Sequence, residues 1–407
     1  MNIRSITCFV NPHYPLNSSV FERAGSFIAA ARPAYQSAGY TVQTSRLAST
    51  PFVHLLNQLD VDAAVQFAQA AEESATANGF EYLSLGPALP ESPGSYEVIP
   101  DILEATENVF LAGVIASQQN GISLPAVRGC ARVIHRAASI TPDGFTNLRF
   151  AALANVPPDA PFFPAAYHQG DHPSFALATE AADLAVEACS NAGSLHEARQ
   201  NIISLVEEHA EALSGVGEKL ARQHAVHFDG IDFTLAPFPE AGRSLGTALE
   251  TLGAPRVGQH GTLAAVAFLA DAVDRAQFHR TGFSGVFLPL LEDAVLAARA
   301  AEGTLTITDL LLYSAVCGTG LDTIPLPGDT SEQQIAAVLL DLAALSQRLE
   351  KPLTARLMPV PGKEAGNPTD FDFDYFANSL VLPLRAQRLT RLFTGDEVFH
   401  LRRRQSP

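Results

Sequence analysis

The chain has 407 residues, 47% of them hydrophobic and 17% charged, a balance that excludes an intrinsically disordered polypeptide. Its net charge of −17, from 43 acidic and 26 basic residues, disfavours polyanionic partners, so neither nucleic acid nor a membrane surface is expected. Cys8, Cys130, Cys189 and Cys317 are scattered without a CxxC pair, the usage of a reduced, cytoplasmic protein rather than a disulfide-framed one.

Residues 3–12 predict a strand ended by Asn11-Pro12. Residues 18–39 predict a helix with a serine start and a glycine stop, kinked at Pro33. A strand over 40–48 completes one βαβ-sized unit. The rhythm repeats as helix 60–79, strand 80–88, helix 97–106, strand 108–117, helix 125–140 and strand 147–157. These strands are continuously apolar, as parallel strands covered on both faces should be. Residues 174–193 and 194–226 read as long helices, a helical insertion over about 174–228. The strand pattern resumes at 230–239. It is followed by a short strand at 256–258, a helix opened by Thr262, a strand at 283–290 and a helix beginning at 291. A helix over 330–351 carries a capping box of Thr330 with Gln333, and a late strand covers 352–362. Strands alternating with helices indicate an α/β fold with a mainly parallel sheet, open or closed. No segment reads as a signal peptide or a membrane span. The basic cluster 402–404 reads as a solvated tail.

Several constellations could carry chemistry. His260 sits where the 256–258 strand would turn into the helix opened by Thr262, beside free amides and a positive dipole end. That is a place for a neutral acid/base or for anion binding, with Thr262 a candidate substrate contact; the structural alternative is a turn histidine. His168, Asp171 and His172 lie within five residues with Glu180 nearby, which makes His168 a candidate ligand for a divalent metal, although the spacing fits no strong template. Asp232 is a carboxylate inside an apolar strand, so it either pairs with an arginine or lines a pocket. Glu292 and Asp293 follow a strand containing Ser284 and either cap the next helix or face the same rim as His260. Cys317 stands before Gly318 and Gly320, with Asp322 two residues further. It is either an inert core thiol or the tip of a presented loop. Arg356 and Lys363 could hold an anionic group, or could serve as a salt bridge to Asp232 or Asp322 and as surface solvation.

The stretches IRSIT (3–7), FPAAYHQG (163–170), IDFTLAPFPEAGRS (231–244), VGQHGTLAAVAFL (257–269), GFSGVFLPLLED (282–293), VCGTGLD (316–322), IPLPGDT (324–330) and ARLMPVPGKEAG (355–366) carry a resemblance that spans nearly the whole chain. In that order they resemble the prokaryotic family of domain of unknown function 711, grouped with the pyruvate formate-lyase-like α/β barrels. The resemblance implies one large barrel-type domain over 1–407, a cytosolic homodimer, and a catalytic cysteine on a loop threaded into the barrel, for which Cys317 is the matching position. Gly395 lacks the context of a glycyl-radical motif, so radical chemistry is not expected. Two functions stay open. One is an enzyme doing lyase, isomerase or hydrolase-type acid/base chemistry on a small anionic substrate. The other is a non-catalytic ligand-binding or scaffold protein on an enzyme-like barrel. The expectation is that His168, Asp232, His260 and Asp322 meet in one cavity.

Overall fold

The apolar stretches close into a ring. In a computed structural model, which describes residues 1–56 and 59–403, the first half of the chain lays down five strands. They are β1 (Asn2–Val10), β2 (Val42–Ser49), β3 (Tyr82–Ala88), β4 (Val109–Ser117) and β5 (Phe150–Ala154), each parallel to its predecessor. The second half lays down β6 (Ser174–Glu180), β7 (His227–Asp232, continuing as Thr234–Leu235), β8 (Gly285–Val286), β9 (Gly320–Pro327) and β10 (Leu353–Val360). Here β6 pairs β7, the β7 continuation pairs β8, and β9 pairs β10, all in parallel. A parallel bridge between Pro289 and Asp322 joins the end of β8 to β9. The halves meet antiparallel at both seams, β1 on β6 and β5 on β10. The fold is thus an α/β barrel, as expected, made of two parallel halves running in opposite directions.

Helices return the chain along the outside and bury one face each against the sheet. Their starts are set by side chains that satisfy free amides: Asn17, Asp60, Ser123 and Ser194 each accept from a first-turn N–H. The helix Ser18–Ser37 runs on through Pro33. The capping box of Glu332–Leu349 lies one residue later than expected, at Ser331 with Gln334, because the Thr330 hydroxyl donates to Pro327 O instead. Among the described residues no helix is long and apolar enough to cross a membrane. Arg403 pairs with Glu350, while Arg404 of the basic cluster lies outside the described residues.

Two expectations need correction. Residues 174–180 are not helical: β6 alternates, with Phe175 and Leu177 in the outer core and Ala176 facing inward. Helix starts only at Ala182. Residues 256–258 are not a strand but a turn. The Gly258 amide donates to Thr262 Oγ1, and Gly258 has a φ of +98°, where an added β-carbon would meet Thr304 O at 2.0 Å.

The segment 155–173 links the halves, and it doubles back into the barrel. Ala160, Phe163, Ala165 and Ala166 are buried on it. Ala165 and Ala166 pack on inward residues of the strands: Ala48, Ala112, Ala151 and Ala176. Small side chains at those positions leave the bore wide enough for a second chain segment. The Ser84 hydroxyl donates to Ala166 O at 2.6 Å and the His168 amide to Ser49 O at 2.9 Å. These bonds satisfy backbone groups that burial would otherwise leave unpaired.

Candidate functional site

At one end of the barrel the inward positions change from alanine to charge. This is the end where β6 and β7 finish and β1 begins, and strand exits of this kind are where α/β sites gather. Arg4 of β1, Arg46 of β2, Asp232 of β7, Asp322 of β9 and Arg356 of β10 line a cavity of about 70 Å³ together with Glu292, which follows β8. The tip of the inserted segment, Pro161 to Phe163, forms its floor, and Phe373 and Tyr375 from the chain beyond β10 overhang it.

Most of these charges are paired. Arg356 grips Asp322 with two nitrogens, Nε at 2.6 Å and Nη2 at 3.0 Å, and the same Nη2 reaches Glu292 Oε1 at 2.8 Å. Arg4 donates to Glu292 Oε2 and stands 3.5 Å from Glu180. Glu180 is also paired with Arg243. Asp322, Glu292 and Arg356 are 1%, 5% and 5% exposed, so each needs the others to offset its desolvation. Among the described residues no arginine pairs with Asp232. Its carboxylate accepts from the Thr234 hydroxyl at 2.6 Å, the Ser284 amide at 2.6 Å and the Phe283 amide at 3.1 Å.

Arg46 differs. Its Nε donates to Thr44 Oγ1 at 2.9 Å, and its guanidinium lies over the Phe163 and Tyr82 rings at 5.3 and 5.8 Å. Among the described residues no carboxylate comes within 4.0 Å of it, and Nη1 and Nη2 have no acceptor. Burial, with Arg4 beside it, lowers the guanidinium to about 10, so it remains cationic at neutral pH.

The two carboxyls that share Arg356 are driven apart. Burial and the negative Glu292 outweigh Arg356 and raise Asp322 above the usual carboxyl range. Burial also pushes Glu292 upward, but Arg4, Arg356 and Arg46 overcome it and hold Glu292 below its ordinary value. Asp232 is raised by burial.

The cavity gathers Asp232, Glu292, Asp322 and Arg356 from the expected set. The others lie elsewhere. His260 is exposed on the turn ahead of Thr262–Arg275, because the supposed strand before it is absent. Thr262 is buried, donating to Arg256 O and accepting from Gly258 N, so it holds that turn. Ser284 positions Asp232 through its amide, while its hydroxyl donates to Thr281 O. Lys363 pairs with Asp370 and donates to Pro368 O on the surface. Asp293 caps Ala294–Ala301, so adjacent acids divide the two roles foreseen for them. His168 is buried at the base of the inserted segment, its Nδ1 2.7 Å from Asp159 Oδ1 and its Nε2 unpartnered. Asp171 and His172 are exposed, and no group of three metal-ligating side chains forms among the described residues.

Cys317 is 2% exposed and off the cavity wall. Gly318 N donates to Val286 O, and Cys317 O accepts from Lys351. The segment that does thread the barrel, 155–173, contains no cysteine. Cys317→Ser is therefore expected to leave ligand binding in the cavity unchanged, as measured by ligand-induced thermal shift.

Arg4, Arg46 and Tyr375 were missed in the sequence. For the two arginines a signal existed: NIRSITCFV and VQTSRLAS each hold one arginine in a buried strand, the anomaly that marked Asp232. Tyr375, in an irregular tail, offered none.

A family model described as "Uncharacterised ACR (DUF711)" matches residues 1–376. A UPF0210 protein of Pyrobaculum arsenaticum is 34% identical over 371 residues, 86% of this chain and 81% of that protein. A UPF0210 protein of Acetivibrio thermocellus is 31% identical, covering 82% of this chain and 77% of its own. One of Neisseria gonorrhoeae is 29% identical, covering 91% and 88%. Among solved structures, an anaerobic ribonucleotide reductase aligns over 87% of this chain and 70% of its own, with a TM-score of 0.45 and 8% identity.

Proposed function

The chain belongs to the DUF711 family of uncharacterised proteins, and we propose that it is an enzyme performing lyase- or isomerase-type acid/base chemistry on a small anionic substrate, without a glycyl radical. One observation carries this reading. A cation with no carboxylate partner among the described residues, Arg46, lines the same cavity as two carboxyls whose proton affinities are driven in opposite directions. Opposed environments of this kind make one carboxyl the better proton holder and the other the better base. Arg46 anchors the anion, Asp322 is the proton donor, and Glu292 is the ionised base. Each oxygen of these two carboxyls takes one arginine nitrogen, which leaves lone pairs free toward the cavity. Asp232 bounds the other side.

Proton exchange tests this whichever reaction the enzyme completes. Small carboxylic acids are incubated with the protein in deuterium oxide, and loss of the α-proton signal is followed by NMR. The expected result is catalysed exchange, reduced about 100-fold or more in Asp322→Asn and in Glu292→Gln. Its rate should fall as pH rises through the elevated Asp322 pKa, because the donor loses its proton. It should also fall as pH drops through the depressed Glu292 pKa, because the base gains one. Binding without any exchange across such a panel would favour the non-catalytic ligand-binding alternative.

A further inference from the structure

We infer that the molecule this cavity takes is a short hydroxy-monocarboxylate, its carboxylate on the free fork of Arg46 and its hydroxyl directed at Glu292 and Asp322; this deepens the proposed function and rests on its anion site. Arg46 commits Nε to Thr44, leaving Nη1 and Nη2, and two parallel N–H groups on one guanidinium match the two oxygens of a planar carboxylate. Among the described residues lining the cavity, this one fork is open. Arg4, Arg243 and Arg356 are all held by Glu180, Glu292 or Asp322. A phosphate dianion would bring a second negative charge beside these carboxyls without a second free cation to meet it.

Size and the facing wall supply the rest. The cavity holds about 70 Å³; at about 10–15 Å³ per water-sized site, that is room for roughly six heavy atoms. Its sides are Phe110, Phe162, Phe287 and Leu148, which favour an uncharged carbon body. The wall beyond them carries Glu292, Asp322 and Asp232, and the ionised Glu292 has lone pairs but no proton to spare. A ligand group facing Glu292 must donate a hydrogen bond, or it buries those lone pairs unsatisfied, while the same group can accept the proton of Asp322. A hydroxyl beside the carboxylate meets both demands within the space available.

The experiment is isothermal titration at pH 7 with glycolate, both enantiomers of lactate, propionate, inorganic phosphate and lactate methyl ester. Glycolate or one lactate enantiomer should bind, propionate about tenfold more weakly, and phosphate and the ester not detectably. Arg46→Met should weaken the hydroxy acid about 100-fold with an unchanged melting temperature in the absence of ligand. Arg46→Lys, which keeps the charge and loses the fork, should weaken it about tenfold and serves if the methionine variant does not fold. Phosphate binding as tightly as lactate, or propionate matching it, would overturn the inference while leaving Arg46 as an anion site. Hydroxy-acid binding that depends on Arg46 but is never followed by proton exchange would instead remove the catalytic reading and keep the ligand class.

Discussion

Arg356→Met should destabilise the protein by about 3–5 kcal/mol at neutral pH, the scale for removing one partner from a buried ion network. Methionine roughly fills the space, so the loss is electrostatic rather than a cavity effect. Asp322 would lose both of its arginine contacts, and Glu292 would lose one of its two. Neither is exposed enough for water to replace those bonds. The penalty should depend on pH in a definite direction. Without the guanidinium both carboxyls rise well above their unfolded values. The variant's deficit is then largest at neutral pH and shrinks as pH falls through those raised pKa values, where the acids become neutral. Urea denaturation of both proteins between pH 4 and 7 measures this. A deficit under about 1 kcal/mol at pH 7, with no pH trend, would mean that water reaches the carboxyls and that the network is not a dry one.

The same network marks how far the sequence could be read. Asp232, Asp322, Glu292 and Arg356 were recognisable because a charge in or beside an apolar strand must have a partner. The rule does not say which charges meet. The anomaly of Arg4 and Arg46 was equally visible, yet Arg4 finds its partner, Glu292, 288 residues away and Arg46 has no carboxylate partner among the described residues. The alternation of strands and helices was legible for β1 to β4, each of which is followed by helix, three times with a side-chain cap at Asn17, Asp60 or Ser123. It failed at β6, since SFALATE is short, rich in alanine and followed at once by helix, so neither period dominates. His260 was misplaced through one local error. RVG has strand-like residues, but glycines at positive φ on either side of His260 hold a turn. The burial of 155–173 was beyond reach, because Pro-Phe-Phe-Pro-Ala-Ala reads equally as a surface loop. What identifies it as an insertion is the row of small residues on four different strands, which no local window contains.

Gly320→Ala is the second substitution expected to be severe, costing about 3 kcal/mol or more, and the reason bears on the glycines around Cys317. Gly320 opens β9 with a φ of +105°, a region that costs an L-residue about 1–2 kcal/mol. A β-carbon there would also sit 2.3 Å from Thr354 O and 3.0 Å from Thr354 N, both backbone atoms of β10 that cannot rotate away. To admit it, β9 and β10 must separate where Thr354 N donates to Thr319 O at 2.6 Å. Asp322 and Arg356 lie two residues beyond that point on the two strands, so the strain acts directly on their ion pair. Gly318 is a useful contrast. Its backbone lies outside the positive-φ region, and an added β-carbon would meet Val286 O at 3.0 Å and the edge of Phe287 at 3.2 Å. Gly318→Ala should therefore be the milder change, about 1–2 kcal/mol, absorbed by a small shift of the ring. Guanidinium denaturation of the two variants compares them, and titration of the hydroxy acid shows whether the Asp322–Arg356 pair has moved. Equal stability of Gly320→Ala and the parent would show that β9 can slide on β10. The two glycines would then belong to a mobile loop presenting Cys317, rather than to the strand junction that sets the spacing of the charged pair.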